Sequence, residues 1–135
     1  MGDLTKNFSR REFACTGDDC CGGSAPIDKE LVQMLQILRD EVRVPVHISS
    51  GFRCNTHNTT VVGASPNSMH TLGLAADIIV PRGHDCERLA RQIRDMGLFS
   101  GIIAYPDRNF IHLDLRTRAG KKLGRLFEIK GRSPS

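Results

Sequence analysis

The chain alternates between stretches of helical and of strand periodicity. Leu31, Leu35 and Leu38, with Val32, Met34 and Val42, recur at the three- and four-residue spacing that gives a helix one apolar face. Asp28 stands where an N-cap belongs and Pro45 ends the run, so a helix is expected over residues 28–43. Asp85–Met96 repeats the pattern, with Asp85 as cap, Leu89, Ile93 and Met96 on the inner face, and Gly97 as the stop. Short strand-like runs lie between and after these helices. Val46–Ser49 and Leu74–Val80 are two of them. Gly101–Tyr105 and Phe110–Leu115 flank the turn Pro106-Asp107-Arg108-Asn109 at hairpin spacing, and Arg125–Ile129 reads as a last strand. Residues 1–14 are polar with Phe8 and Phe13 as anchors; residues 15–26 and 52–68 read as loops, the second with one helical turn. This order predicts an α+β fold, a mainly antiparallel sheet flanked by helices, in a single domain spanning residues 1–135.

A chain of 135 residues can bury a core without disulfides. Trp is absent and Tyr occurs once, so that core must be built from Leu, Ile, Val and Phe. The net charge of +4 suits an anionic partner such as a wall polymer, a nucleic acid or a membrane surface. Much of the surplus lies in residues 116–135, where Arg116, Arg118, Lys121, Lys122, Arg125, Lys130 and Arg132 face a single acid, Glu128. That stretch reads either as a solvated face or as a polymer-contacting patch. Helix-turn-helix, zinc-finger and aromatic-strand signatures are missing, which argues against a nucleic-acid partner. No apolar run approaches the ~20 residues of a membrane span. Met1–Phe13 lacks the apolar segment of a signal peptide, so the expectation is cytoplasmic synthesis with release or export by another route. The cysteines are Cys15, Cys20, Cys21, Cys54 and Cys86; they read as reduced structural thiols, as one disulfide, or as a second metal site built from the first four.

The chemistry concentrates in two segments. In Ser68-Met69-His70-Thr71-Leu72-Gly73-Leu74-Ala75-Ala76-Asp77, a histidine and an aspartate are separated by glycine and small residues, and the aspartate then enters the apolar run Ile78-Ile79-Val80. A carboxylate at the edge of a buried strand is costly unless something neutralises it, and a divalent metal does so well. In Phe110-Ile111-His112-Leu113-Asp114, period-two alternation puts Phe110, His112 and Asp114 on one face. A single strand histidine is usually a core or surface residue. The ordered set His70, Asp77, His112 instead gives three ligands and one open position, the pattern of a catalytic zinc.

A third segment, Ser50-Gly51-Phe52-Arg53-Cys54-Asn55-Thr56-His57-Asn58, precedes these two. The three segments together, in this order, resemble the zinc D-Ala-D-Ala carboxypeptidases and related peptidoglycan endopeptidases, phage endolysins among them. That group shares its metal centre with lysostaphin-type peptidases and the Hedgehog domain. The opening Phe8-Ser9-Arg10-Arg11-Glu12-Phe13-Ala14-Cys15 and the first helix extend the likeness over most of the chain. The resemblance implies one zinc per chain, a peptidoglycan or muropeptide substrate, and amide hydrolysis by zinc-activated water. It makes His70, Asp77 and His112 the ligands, Arg53 the partner of a substrate carboxylate, and Ser68 a substrate-bonding hydroxyl. A monomer is expected. The general base is the open position: relatives carry an acid three residues before the last ligand or a His two before it, where this chain has Asn109 and Phe110. Asp114, Asp107 and His57 are the candidates, with Asp114 ahead of Asp107. The missing acid also motivates an alternative, a zinc-containing binding or structural domain of the same fold.

Overall fold

The computed structural model describes residues 4–15, 26–54, 68–120 and 124–130. Helix α1 spans Lys29–Val42. Asp28 starts it as expected, its Oδ1 accepting from the backbone N–H of Glu30 (2.8 Å) and Leu31 (3.3 Å). Arg43 ends it in the left-handed region at φ 59°, two residues before Pro45. The buried face is Leu31, Val32, Leu35 and Leu38. Helix α2 spans Cys86–Met96, capped by the Asp85 carboxylate and closed at Gly97 with φ 70°.

Five strands form one sheet: β1 His47–Ser50, β2 Ala75–Ile79, β3 Gly101–Tyr105, β4 Phe110–Asp114 and β5 Leu126–Ile129, in the order β1-β2-β4-β3-β5. All pairings are antiparallel except β3 with β5, which is parallel. One sheet face carries Ile78, Ile102, Ala104, Ile111 and Leu113, which join α1 and α2 in the core. Phe8 and Phe13, the two anchors of the polar N-terminal segment, are fully buried with ring centroids 6.0 Å apart. A short 3-10 turn, Arg10–Phe13, brings Phe13 there. No helix among the described residues is long and apolar enough to cross a membrane.

The C-terminal basic stretch is not simply a solvated tail. Arg116–Ala119 forms a one-turn helix, α3. From it Arg118 reaches back to the start of α1, with Nη2 2.9 Å from Asp28 and Nη1 2.6 Å from Glu30. Leu126–Ile129 is a sheet strand, and Lys130 pairs with Glu128 at 3.2 Å. The sequence pattern could not show these pairings, because the acids that answer Arg118 lie about ninety positions away. Lys121, Lys122 and Arg132 lie outside the described residues, as do Cys20, Cys21 and His57.

Candidate metal centre

The opposite face of the sheet carries the polar constellation. The register pairs Asp77 with His112 and with Ser50, and His112 with Ile103, which pairs in turn with Glu128. Directly paired residues share a face, so these positions form one row across the sheet. The next row holds Ile79, Phe110 and Tyr105. His70 arrives from outside the sheet, on a 3-10 turn, Met69–Leu72, that begins at Ser68 and ends at Gly73 with φ 71°. A side chain at Gly73 would also meet the Pro26 carbonyl, so this tight return needs glycine.

The hydrogen bonds fix which nitrogen of each ring faces inward. His70 Nδ1 lies 2.7 Å from the Gly51 carbonyl, which only accepts, so Nδ1–H donates and Nε2 is left with its lone pair. That Nε2 is 3.2 Å from Asp77 Oδ1. His112 Nε2 donates to Asp114 Oδ2 at 2.7 Å, which leaves Nδ1 pointing at the same Asp77 Oδ1, 3.0 Å away. Three acceptor atoms thus converge with no hydrogen between them when both rings are neutral. Such a cluster needs a cation or an extra proton. Without a metal the proton resolves it. Burial opposes a charge on His112, but hydrogen bonds to Asp114 and Asp77 outweigh it and push the ring up to about 9. Burial likewise opposes ionisation of Asp77, yet the bonds from His112 and His70 hold its carboxyl below the usual carboxylate range. The ligand atoms of His70, Asp77 and His112 all lie within 4.8 Å of one another, and two imidazoles with one carboxylate are a donor set that zinc and similar divalent ions accept.

Around this centre the other expected residues fall in different places. Arg53 Nη2 is 3.7 Å from Asp77 Oδ2, and the backbone N–H of Arg53 donates to the His70 carbonyl at 3.1 Å. Burial lowers the Arg53 pKa, opposed by the nearby Asp77 carboxylate. Ser68 caps the turn, its Oγ accepting from the His70 N–H at 3.2 Å; among the described residues its O–H has no acceptor. Asp114 is fully buried. Its oxygens hold His112 Nε2 and the Arg116 side chain, with Arg116 Nη2 at 2.7 Å and Nε at 3.0 Å. Burial would raise its carboxyl, but the bonds from His112 and Arg116 bring it down to about 2. Asp114 therefore sits behind the ring, against the nitrogen turned away from Asp77. Asp107 is exposed in the 3-10 turn Pro106–Arg108 that joins β3 to β4. Asn109 closes that turn in the left-handed region at φ 56°, a conformation asparagine tolerates well.

A sequence profile of the peptidase M15 family matches residues 6–114. The match spans the N-terminal turn, both segments that supply the converging atoms, and the hairpin between them. The chain belongs to the peptidase M15 family. Membership makes it a member of a metallopeptidase group, and the His/Asp/His cluster is compatible with the metal such peptidases require. No curated protein matches the chain.

Two residues of this M15 centre were not marked by the sequence pattern. Arg116 read as part of a basic tail, and only its contact with a buried carboxylate reveals its place. Tyr105 stacks on Phe110 with centroids 4.4 Å apart and faces the centre; burial and then the Asp77 charge raise its phenol. Hairpin alternation could have flagged it, since Tyr105 lies directly across from Phe110.

Gly101 is the residue across the sheet from Asp114. A Cβ there would collide with the Asp114 carboxylate. We therefore expect Gly101→Ala to displace Asp114 and release His112, weakening the centre's affinity for a divalent metal roughly 10–100-fold as other losses around a ligand histidine do. Competition with a chromogenic chelator measures it, and an unchanged affinity would show that Asp114 has room to move.

Proposed function

We propose that the chain is a zinc-dependent peptidoglycan peptidase that hydrolyses an amide next to a D-amino acid in wall stem or cross-link peptides. It would act as a D-Ala-D-Ala carboxypeptidase or an endopeptidase, in the manner of a phage endolysin that reaches the wall after release or export. The observation that carries this reading is the convergence of His70 Nε2, Asp77 Oδ1 and His112 Nδ1 with the Arg53 guanidinium at its border. Zinc held there supplies Lewis acidity toward a carbonyl and toward water.

The protein's own groups have distinct tasks in this reading. Arg53 takes the substrate's terminal carboxylate or a backbone carbonyl, for which its planar fork is suited. Ser68 donates its O–H to the peptide. Asp114 and Arg116 hold His112 in one tautomer and orientation. With Asp114 committed to those bonds, the proton-accepting role passes to the solvent-facing Asp107. Asn109 favours a second reading, a zinc domain that binds without cutting, because an amide cannot act as a base. Its left-handed turn conformation gives Asn109 a backbone reason to be there, so peptidase remains the better reading.

The test is product release from purified peptidoglycan and from a D-Ala-terminated muropeptide, followed by mass spectrometry. Zinc-loaded protein should release product and a chelator should stop it, and Asp107→Asn should lower kcat while keeping full zinc. A zinc-replete chain that cuts no wall type favours the binding domain. Arg53→Ala should reduce kcat/KM by roughly 10- to 150-fold, the equivalent of ~1.5–3 kcal/mol for a charge-assisted hydrogen bond, chiefly through KM. If zinc content falls with it, Arg53 serves Asp77 and not the substrate.

A further inference from the structure

We propose that Tyr105 is a catalytic residue of this centre: its phenolic O–H donates to the carbonyl oxygen of the scissile amide as water adds to that carbonyl. This role rests on the peptidase reading and supplies a donor for the reacting carbonyl itself.

The sheet decides where the Tyr105 ring stands. Tyr105 pairs with Phe110, and Ile103, two residues earlier on β3, pairs with His112. Alternation therefore puts Tyr105 on the face that carries His112, as its diagonal neighbour across the strand pair, a separation that an aromatic side chain spans. Phe110 holds the ring in a stack, with centroids 4.4 Å apart and planes 13° from parallel. The Arg108 guanidinium packs over Phe110 in turn, 5.4 Å from the ring centroid, so the stack is braced from the hairpin turn.

The hydroxyl is left over. Tyr105 is half-buried, and among the described residues its O–H makes no hydrogen bond. Its electrostatic neighbours are those of the centre: burial and then the Asp77 carboxylate raise the phenol, while Asp77 and then Tyr105 oppose the burial that lowers Arg53. A phenol keeps its proton at neutral pH, and a raised one does so more firmly, so Tyr105 serves as a donor and not as a base. No proton leaves it; the bond it donates strengthens as the carbonyl oxygen gains charge. Arg53 then holds the peptide's carboxylate or backbone, and Tyr105 meets the bond that breaks.

Tyr105→Phe keeps the ring and its stack and removes only the oxygen. With zinc-loaded protein and a D-Ala-terminated muropeptide, it should lower kcat roughly 100-fold, the loss typical of one such donor, with KM and zinc content as in wild type. A phosphinate analogue of the scissile dipeptide carries its anionic oxygen where that charge develops, so calorimetry should find it bound more weakly by a similar factor. Tyr105 is the chain's one tyrosine and Trp is absent, so intrinsic emission reports this ring alone and should change when the phosphinate binds wild type. Equal kcat and equal phosphinate affinity in the two proteins would overturn the proposal and leave the peptidase reading intact, as would a phosphinate that binds without altering the emission. Loss of zinc from Tyr105→Phe also overturns it, since the phenol then serves Asp77 and not the substrate. A zinc-replete wild type that neither cuts wall peptides nor binds the phosphinate sinks both.

Discussion

His112→Ala is expected to empty the His/Asp/His centre and, on the proposed peptidase reading, to abolish hydrolysis, while the chain still folds. His112 stands on β4, between β2 and β3 in the middle of the sheet, and its Nδ1 is one of three acceptors that converge among the described residues. Two remaining ligands cannot hold zinc against dialysis at neutral pH, because most of the binding free energy comes from completing the donor set. The fold should survive because the substitution leaves no buried charge orphaned: Asp114 keeps its Arg116 fork and Asp77 keeps Arg53 and His70. Elemental analysis and circular dichroism on the same preparation measure both halves. An undiminished metal content at this centre would refute the ligand assignment, whereas loss of the circular dichroism signal would show that the ring supports the sheet itself.

The elements were legible because their signals are local. Asp28 and Asp85 cap helices where the pattern put them, and the hairpin of β3 and β4 follows directly from two apolar runs around Pro106–Asn109. The family match agrees with the resemblance carried by the three motifs. The ligand trio is brought together as its order suggested, though the bond that chooses Nε2 on His70 comes from the Gly51 carbonyl, which no spacing rule connects to it. What escaped were these pairings: Arg116 under Asp114, Arg118 across to α1 and the parallel docking of β5. The 3-10 turn at Met69–Leu72 also escaped, since four residues between a serine and a glycine give no periodicity to read. Strand alternation did place Asp114 on the face of His112. It could not say that both carboxylate oxygens would be taken up behind the ring by His112 and Arg116, an arrangement that favours support over proton transfer.

Asp114 and Arg116 therefore make the second large prediction. Arg116→Ala should cost about 3–5 kcal/mol of folding stability, as removal of one partner from a buried ion pair does, because among the described residues a fully buried carboxylate would keep only His112 as its side-chain partner. Asp114→Asn removes the charge with little change in volume, so the chain should fold. It should hold His112 less firmly and bind zinc roughly 10–100-fold more weakly. Combining the two should destabilise much less than their sum, since each substitution removes the reason the other is harmful. Chemical denaturation of the four proteins and competitive zinc titration read these quantities separately. Activity of Asp114→Asn at saturating zinc then discriminates the roles. A supporting carboxylate predicts that turnover returns substantially as the centre refills. An Asp114→Asn chain that binds zinc as tightly as wild type but turns over no substrate would instead make Asp114 the base, and Asp107 a bystander on its turn.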